Sequence, residues 1–130
     1  MKRTRIVIPE RLARWIESNM PGAPDVERVQ IFCGNTIPFD WLPGNRKKYI
    51  GITLWNKIFL REPFELNSDA GVELLLHELV YVRQFAKNPF SFPLRFLFFL
   101  AVKGYPNHPA EIEARAVAAE LLDRFIRDGR

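Results

Sequence analysis

The sequence predicts an α+β fold: a small curved β-sheet or hairpin packed on one buried helix, with two further C-terminal helices and a short N-terminal helix. Three observations carry this. In LLLHELVYVRQF, the stretch 74–85, Leu74, Leu75, Leu76, Leu79, Val80, Val82 and Phe85 cover most of a 3.6-residue wheel. That marks a helix buried on nearly all sides. Two segments before it, 26–33 and 49–60, are rich in β-formers and bounded by Pro, Gly and Asn. After it, Ala114, Ala118, Leu121, Leu122 and Phe125 repeat at helical spacing, a second amphipathic helix to pack on the first.

The elements follow in order. Pro9 with Leu12, Trp15 and Ile16 gives a short amphipathic helix that Pro21-Gly22-Ala23-Pro24 ends. Residues 26–33 read as a strand with Val29 and Ile31 on one side. Residues 34–46, with Pro38, Pro43 and Gly44, form a loop whose Phe39, Trp41 and Leu42 fold back on the core. In 49–60, Ile50, Ile52 and Leu54 alternate and Ile58-Phe59-Leu60 follows; Asn56-Lys57 is either a hairpin turn or the middle of one bent strand. Asn67, Ser68 or Asp69 caps the central helix, which runs to about Lys87 before Asn88-Pro89. The Phe-rich segment 89–104 reads as another helix, and Pro109 opens the last one, which ends near Arg127.

Bulk properties narrow the function classes. The 130 residues suit a single domain over 1–130, able to bury roughly two-thirds of its unfolded surface. At 48% hydrophobic and 26% charged the chain is globular in composition and not of the disordered class. The formal charge of +4 comes from basic residues scattered over the N-terminus, Arg46-Lys47-Lys48 and the C-terminal end. The sequence collects them on no one face, so nucleic acid is not the expected partner. Cys33 stands alone, which excludes an internal disulfide framework and a thiolate metal cluster. No apolar run is long enough to span a bilayer and residues 1–20 lack an apolar signal core, so the expectation is a soluble, cytoplasmic protein.

The chemistry should lie where the buried helix stays polar. Glu73, His77 and Gln84 fall within about 40° of one another on its wheel, with Tyr81 at the border of the stripe and Glu78 roughly a quarter-turn away. On the last helix Glu111 sits in the middle of the apolar stripe, whereas Glu113 points the other way, among charged residues. A carboxylate aimed inward needs a cation, a metal or a hydrogen-bond donor.

These residues resemble a family. His77-Glu78-Leu79-Val80-Tyr81 is one residue short of His-Glu-x-x-His, and HPAEIEARA at 108–116 places a Glu-x-Glu-Ala helix some thirty residues on. The pair is similar to the gluzincin type of zinc metallopeptidase, and more narrowly to minimal bacterial zincin-like domains. The likeness covers roughly 51–122, with 51–61 similar to the edge strand along the cleft. It implies a zincin-like fold, with His77 and Glu111 as zinc ligands and Glu78 as the catalytic general base.

The departure falls on the metal. Tyr81 stands where the second histidine ligand belongs, and a phenol must lose a proton with an ordinary pKa of about 10 to ligate well. His77 and Glu111 alone make a weak site; His108, the only other histidine, precedes Glu111 by three residues and would have to swing in against Pro109. The expectation is therefore a metallopeptidase-like domain degenerate at its metal site, weak or non-catalytic, with zinc weakly bound or absent. Glu73, Tyr81, Gln84 and His108 would complete the pocket, and the cleft would take a peptide or protein partner. Two alternatives stand beside it. One is an active zinc peptidase with an atypical third ligand. The other is an interaction or membrane-surface module, or a homo-oligomer, built on the Phe-rich residues 90–102.

Overall fold

In the computed structural model, which describes residues 3–37, 51–93 and 109–128, the elements run as follows. They are β1 (Thr4–Ile6), α1 (Glu10–Asn19), a 3-10 turn (Val26–Arg28), β2 (Gln30–Gly34), β3 (Gly51–Leu54), β4 (Lys57–Arg61), α2 (Asp69–Lys87) and α3 (Pro109–Arg127). This is an α+β arrangement. The four strands form one mixed sheet in the order β1-β2-β4-β3, with β2 and β4 parallel and the two outer pairs antiparallel.

Period-2 alternation sorts the sheet into two faces. Ile31 and Cys33 of β2, Ile58 and Leu60 of β4, and Gly51 and Thr53 of β3 are buried on the helix side. The alternating Ile52 and Leu54 thus lie on the other face, half-buried. β1 was not visible in the sequence, because three residues carry no periodicity; pairing with β2, Arg5 opposite Phe32, is what makes it a strand. The expected strand at 26–33 begins later. Asp25 accepts the Glu27 N–H and turns Val26–Arg28 into a 3-10 helix, leaving Gln30 as the first strand residue. The segment after it is a hairpin, with its turn one residue earlier than Asn56-Lys57. Trp55 takes the left-handed conformation at φ 56°, and Asn56 ties the turn to β2: its carbonyl accepts the Gln30 N–H at 3.0 Å.

α2 is the centre of the packing. Ser68 caps it by accepting the Gly71 N–H at 3.0 Å. Val72, Leu75, Leu76, Leu79 and Val80 are at most 1% exposed, each of the leucines contributing about 1.5–3 kcal/mol of burial. Along one side α2 packs on α3, where Ala114 and Ala118 are fully buried and short enough to bring the helices close; along another it packs on β3. α1 closes the far end, with Leu12 and Ile16 buried and Trp15 edge-on to Phe125 of α3. The expectations for Phe39, Trp41 and Leu42, and for a helix through residues 90–102, fall mainly on 38–50 and 94–108, outside the described residues. Within the described part Phe90 is exposed, Phe92 is buried beside Tyr81 and Phe85, and 91–93 are helical. Among the described residues no helix is long and apolar enough to cross a membrane.

The start of α2 requires glycine. A Cβ on Gly71 would lie 1.6 Å from the Glu65 carbonyl oxygen, a contact only backbone movement relieves. Gly71→Ala should therefore destabilise the fold by about 3 kcal/mol, the upper end of overpacking costs, despite alanine's better helix propensity. Urea unfolding measures it. A gain in stability would mean that the 65–68 turn adjusts freely.

Candidate functional site at the contact of α2 and α3

Two buried glutamates define the site, one on each helix. Glu78 is 3% exposed and Glu111 5%. Both stand on helix faces otherwise filled by Leu, Val and Ala, so each must find its partners inside the protein.

Glu111 finds them on α2. The Tyr81 hydroxyl donates to its Oε1 at 2.7 Å, and His77 Nε2 lies 2.8 Å from the same oxygen. An ionised carboxylate only accepts, so Nε2 carries the hydrogen. Tyr81 and His77 are one helical turn apart and their rings stack, with centroids 5.6 Å apart, so a single turn of α2 delivers both donors. Arg115, one turn along α3, reaches the other oxygen of Glu111 at 3.4 Å from a side chain that is half exposed. Burial pulls the His77 imidazole towards its neutral form. The hydrogen bond to Glu111 and the negative charges of Glu78 and Glu111 outweigh that, and its pKa is raised.

Glu78 faces the sheet instead. Its carboxylate accepts the Thr53 hydroxyl at 2.8 Å, and the Gly51 backbone passes so close that a Cβ there would sit 3.4 Å from the carboxyl carbon. Burial pushes its pKa up to about 7; His77 and the Thr53 hydrogen bond oppose the rise and Glu111 adds to it. A carboxyl group poised there exchanges a proton near neutrality, as a general acid or base must.

The sequence-derived residues divide accordingly. His77, Tyr81 and Glu111 converge; Glu78 is adjacent but turned to Thr53. Glu73 is half-buried one turn before His77, and no hydrogen bond joins it to the cluster. Gln84 leaves it: its amide nitrogen donates to Glu113 Oε1 at 2.6 Å, beside Arg83, and its own oxygen is buried with no hydrogen-bond partner among the described residues. Glu113 is exposed, as its wheel position requires. His108 lies outside the described residues. Thr53 and Arg115 are the additions. Arg115 sits at i+4 from Glu111 and was readable; Thr53 depends on strand placement and was not.

Among the described residues the donor set brings two protein ligands, His77 and Glu111, to one point. Among the described residues no three His, Cys, Asp or Glu side chains are grouped to hold a metal, and the Glu111 oxygen that would ligate is engaged by two hydrogen-bond donors. No family model, no curated protein and no solved structure matches this chain.

Two measurements follow from this geometry. Because the Glu78 pKa is raised on folding, its protonated form favours the native state. That stability is full below the ordinary 4.5 and is lost as pH rises through about 7. At about 1.4 kcal/mol per unit the loss is on the order of 3 kcal/mol. Glu78→Gln keeps an oxygen for Thr53 and removes the charge, so it should stabilise the protein at about pH 8 and much less at about pH 4. Equal gains at both would show that charge burial is not the cause. Tyr81→Phe removes one donor from a buried carboxylate and should cost about 1.5–3 kcal/mol in chemical unfolding. An unchanged midpoint would mean that the phenol does not hold Glu111.

Proposed function

We propose that this is a zincin-like domain whose metal position has been taken over by a side chain, and that it works as a peptide- or protein-binding module. The observation that carries the reading is the Tyr81 hydroxyl on Glu111 Oε1 at 2.7 Å, with His77 on the same oxygen. In the resembled arrangement a metal would bridge a histidine and that glutamate. Here the N–H of His77 and the O–H of Tyr81 do the bridging, which gives the buried carboxylate its hydrogen-bond partners without an ion.

Three features support the zincin resemblance beyond the motif. The helix bearing His77-Glu78 is the buried centre of the fold, the helix bearing Glu111 packs directly on it, and strand β3 runs beside Glu78. Among the described residues β3 is paired on one side only, by β4, so its other edge offers backbone groups to an extended peptide. Glu78 and Thr53 would then lie buried beneath that edge, bonded to each other, and the peptide would be held by the β3 backbone. With Tyr81 in the ligand position no hydrolytic step is assigned.

Zinc titration by calorimetry at neutral pH, on wild type and Tyr81→His, tests the reading. Wild type should bind zinc weakly, well below one ion per chain after dialysis. Tyr81→His should bind more tightly by orders of magnitude, because it puts a second imidazole one turn from His77 and completes a His, His, Glu set. Adding Glu111→Gln to that variant should abolish the gain. If wild type holds one zinc tightly, Tyr81 or His108 is a ligand and the degenerate reading is wrong. If the histidine variant binds no better, the zincin reading fails.

A further inference from the structure

Apart from the α2–α3 site, the described surface has one face of unusual composition: the side of the sheet turned away from the helices. The register sets Arg5, Phe32, Phe59 and Ile52 in one row across all four strands. Lys57 and Arg61 stand on the same face two residues either side of Phe59, and Arg3 stands two before Arg5. The four strands contain no Asp or Glu. Phe32 and Phe59 lie nearly parallel, with centroids 5.4 Å apart and planes 21° apart. The Arg5 guanidinium sits 5.8 Å over the first ring and that of Arg3 5.2 Å over the second. Neither arginine makes an ion pair within the described residues.

We propose that this face is a docking platform for single-stranded nucleic acid, with bases stacking at the Phe32–Phe59 pair and phosphates held by Arg3, Arg5 and Lys57. The chemistry selects that partner from three polyanions. An acidic peptide supplies charge but no regular series of planar rings for the aromatic pair. An anionic membrane needs apolar side chains that protrude, whereas Phe32 and Phe59 are half-buried and lie under the Arg5 and Arg3 guanidinium groups. A single strand offers both a phosphate per nucleotide and an exposed base face, and stacking on aromatic or guanidinium planes serves any base. On binding, the two guanidinium groups swing from the rings to phosphates and the bases take their places.

Fluorescence anisotropy with a labelled oligothymidylate of about ten nucleotides, the full chain and a salt series is the test. The strand should bind, with affinity falling as salt rises. Arg3→Ala with Arg5→Ala should reduce the slope of log affinity against log salt by about 1.4, two phosphate contacts' worth. Phe32→Leu with Phe59→Leu should weaken binding by about five-fold or more with the slope unchanged, since only stacking is lost. Circular dichroism confirms that each variant is folded. Removing the same charge from α1, by Arg11→Ala with Arg14→Ala, should leave affinity within about two-fold. Four outcomes overturn the proposal: no binding at low salt, equal binding of a duplex of the same length, indifference to the leucine pair, or a loss from the α1 variant as large as that from β1. Binding to phosphatidylserine vesicles without binding to the oligonucleotide would make the face a membrane contact and overturn it too.

Discussion

The buried carboxylate of Glu111 constrains more of this protein than any other single group. Left alone at 5% exposure it would cost several kcal/mol, so its donors must be present whenever α2 and α3 are packed. Both come from one turn of α2, which makes the carboxylate a register mark between the helices. Sliding α3 by one turn along α2 would keep apolar contacts through Ala114 and Ala118 but strip Glu111 of its donors. Packing alone leaves that slide cheap, because leucine and alanine faces are tolerant; the hydrogen bonds forbid it.

The neighbouring Glu78 shows the opposite economy. Its carboxyl is buried with Thr53 as hydroxyl donor, and its pKa is driven to about 7 chiefly by loss of solvent. A chain selected for stability alone would place an apolar residue there. Sheet and helix instead accommodate the carboxyl group. Gly51 gives it room on β3, where Ile52 and Leu54 are turned to the other face. A buried carboxyl group with so fitted a surround makes Glu78 a candidate functional position. That argument holds for Glu78 whether or not the domain ever held a metal.

Most of the helical architecture was legible, and the reason is local. α2 ends where Lys87 meets Asn88-Pro89, and α3 opens at Pro109, because helix period, caps and proline are properties of short stretches. The inward aim of Glu111 and the outward aim of Glu113 followed from the wheel in the same way. Gln84 shows the limit of that reasoning. It shares the polar stripe with His77, yet its amide turns to Glu113 on α3, since a long side chain near the edge of a stripe goes to whichever partner the neighbouring helix offers.

What the sequence determined by itself, then, is where the helices are and which of their faces look inward, because those depend on neighbours three or four residues apart. The sheet was decided only in the tertiary structure. β1 exists through its pairing with β2, the parallel β2–β4 contact joins segments far apart in sequence, and the order β1-β2-β4-β3 is written in no local pattern. For the same reason the basic residues looked scattered along the chain. Arg5, Lys57 and Arg61 belong to the N-terminal strand and the hairpin, and strand register, a non-local quantity, sets them on one face around Phe32 and Phe59, where Arg3 joins them from just before β1.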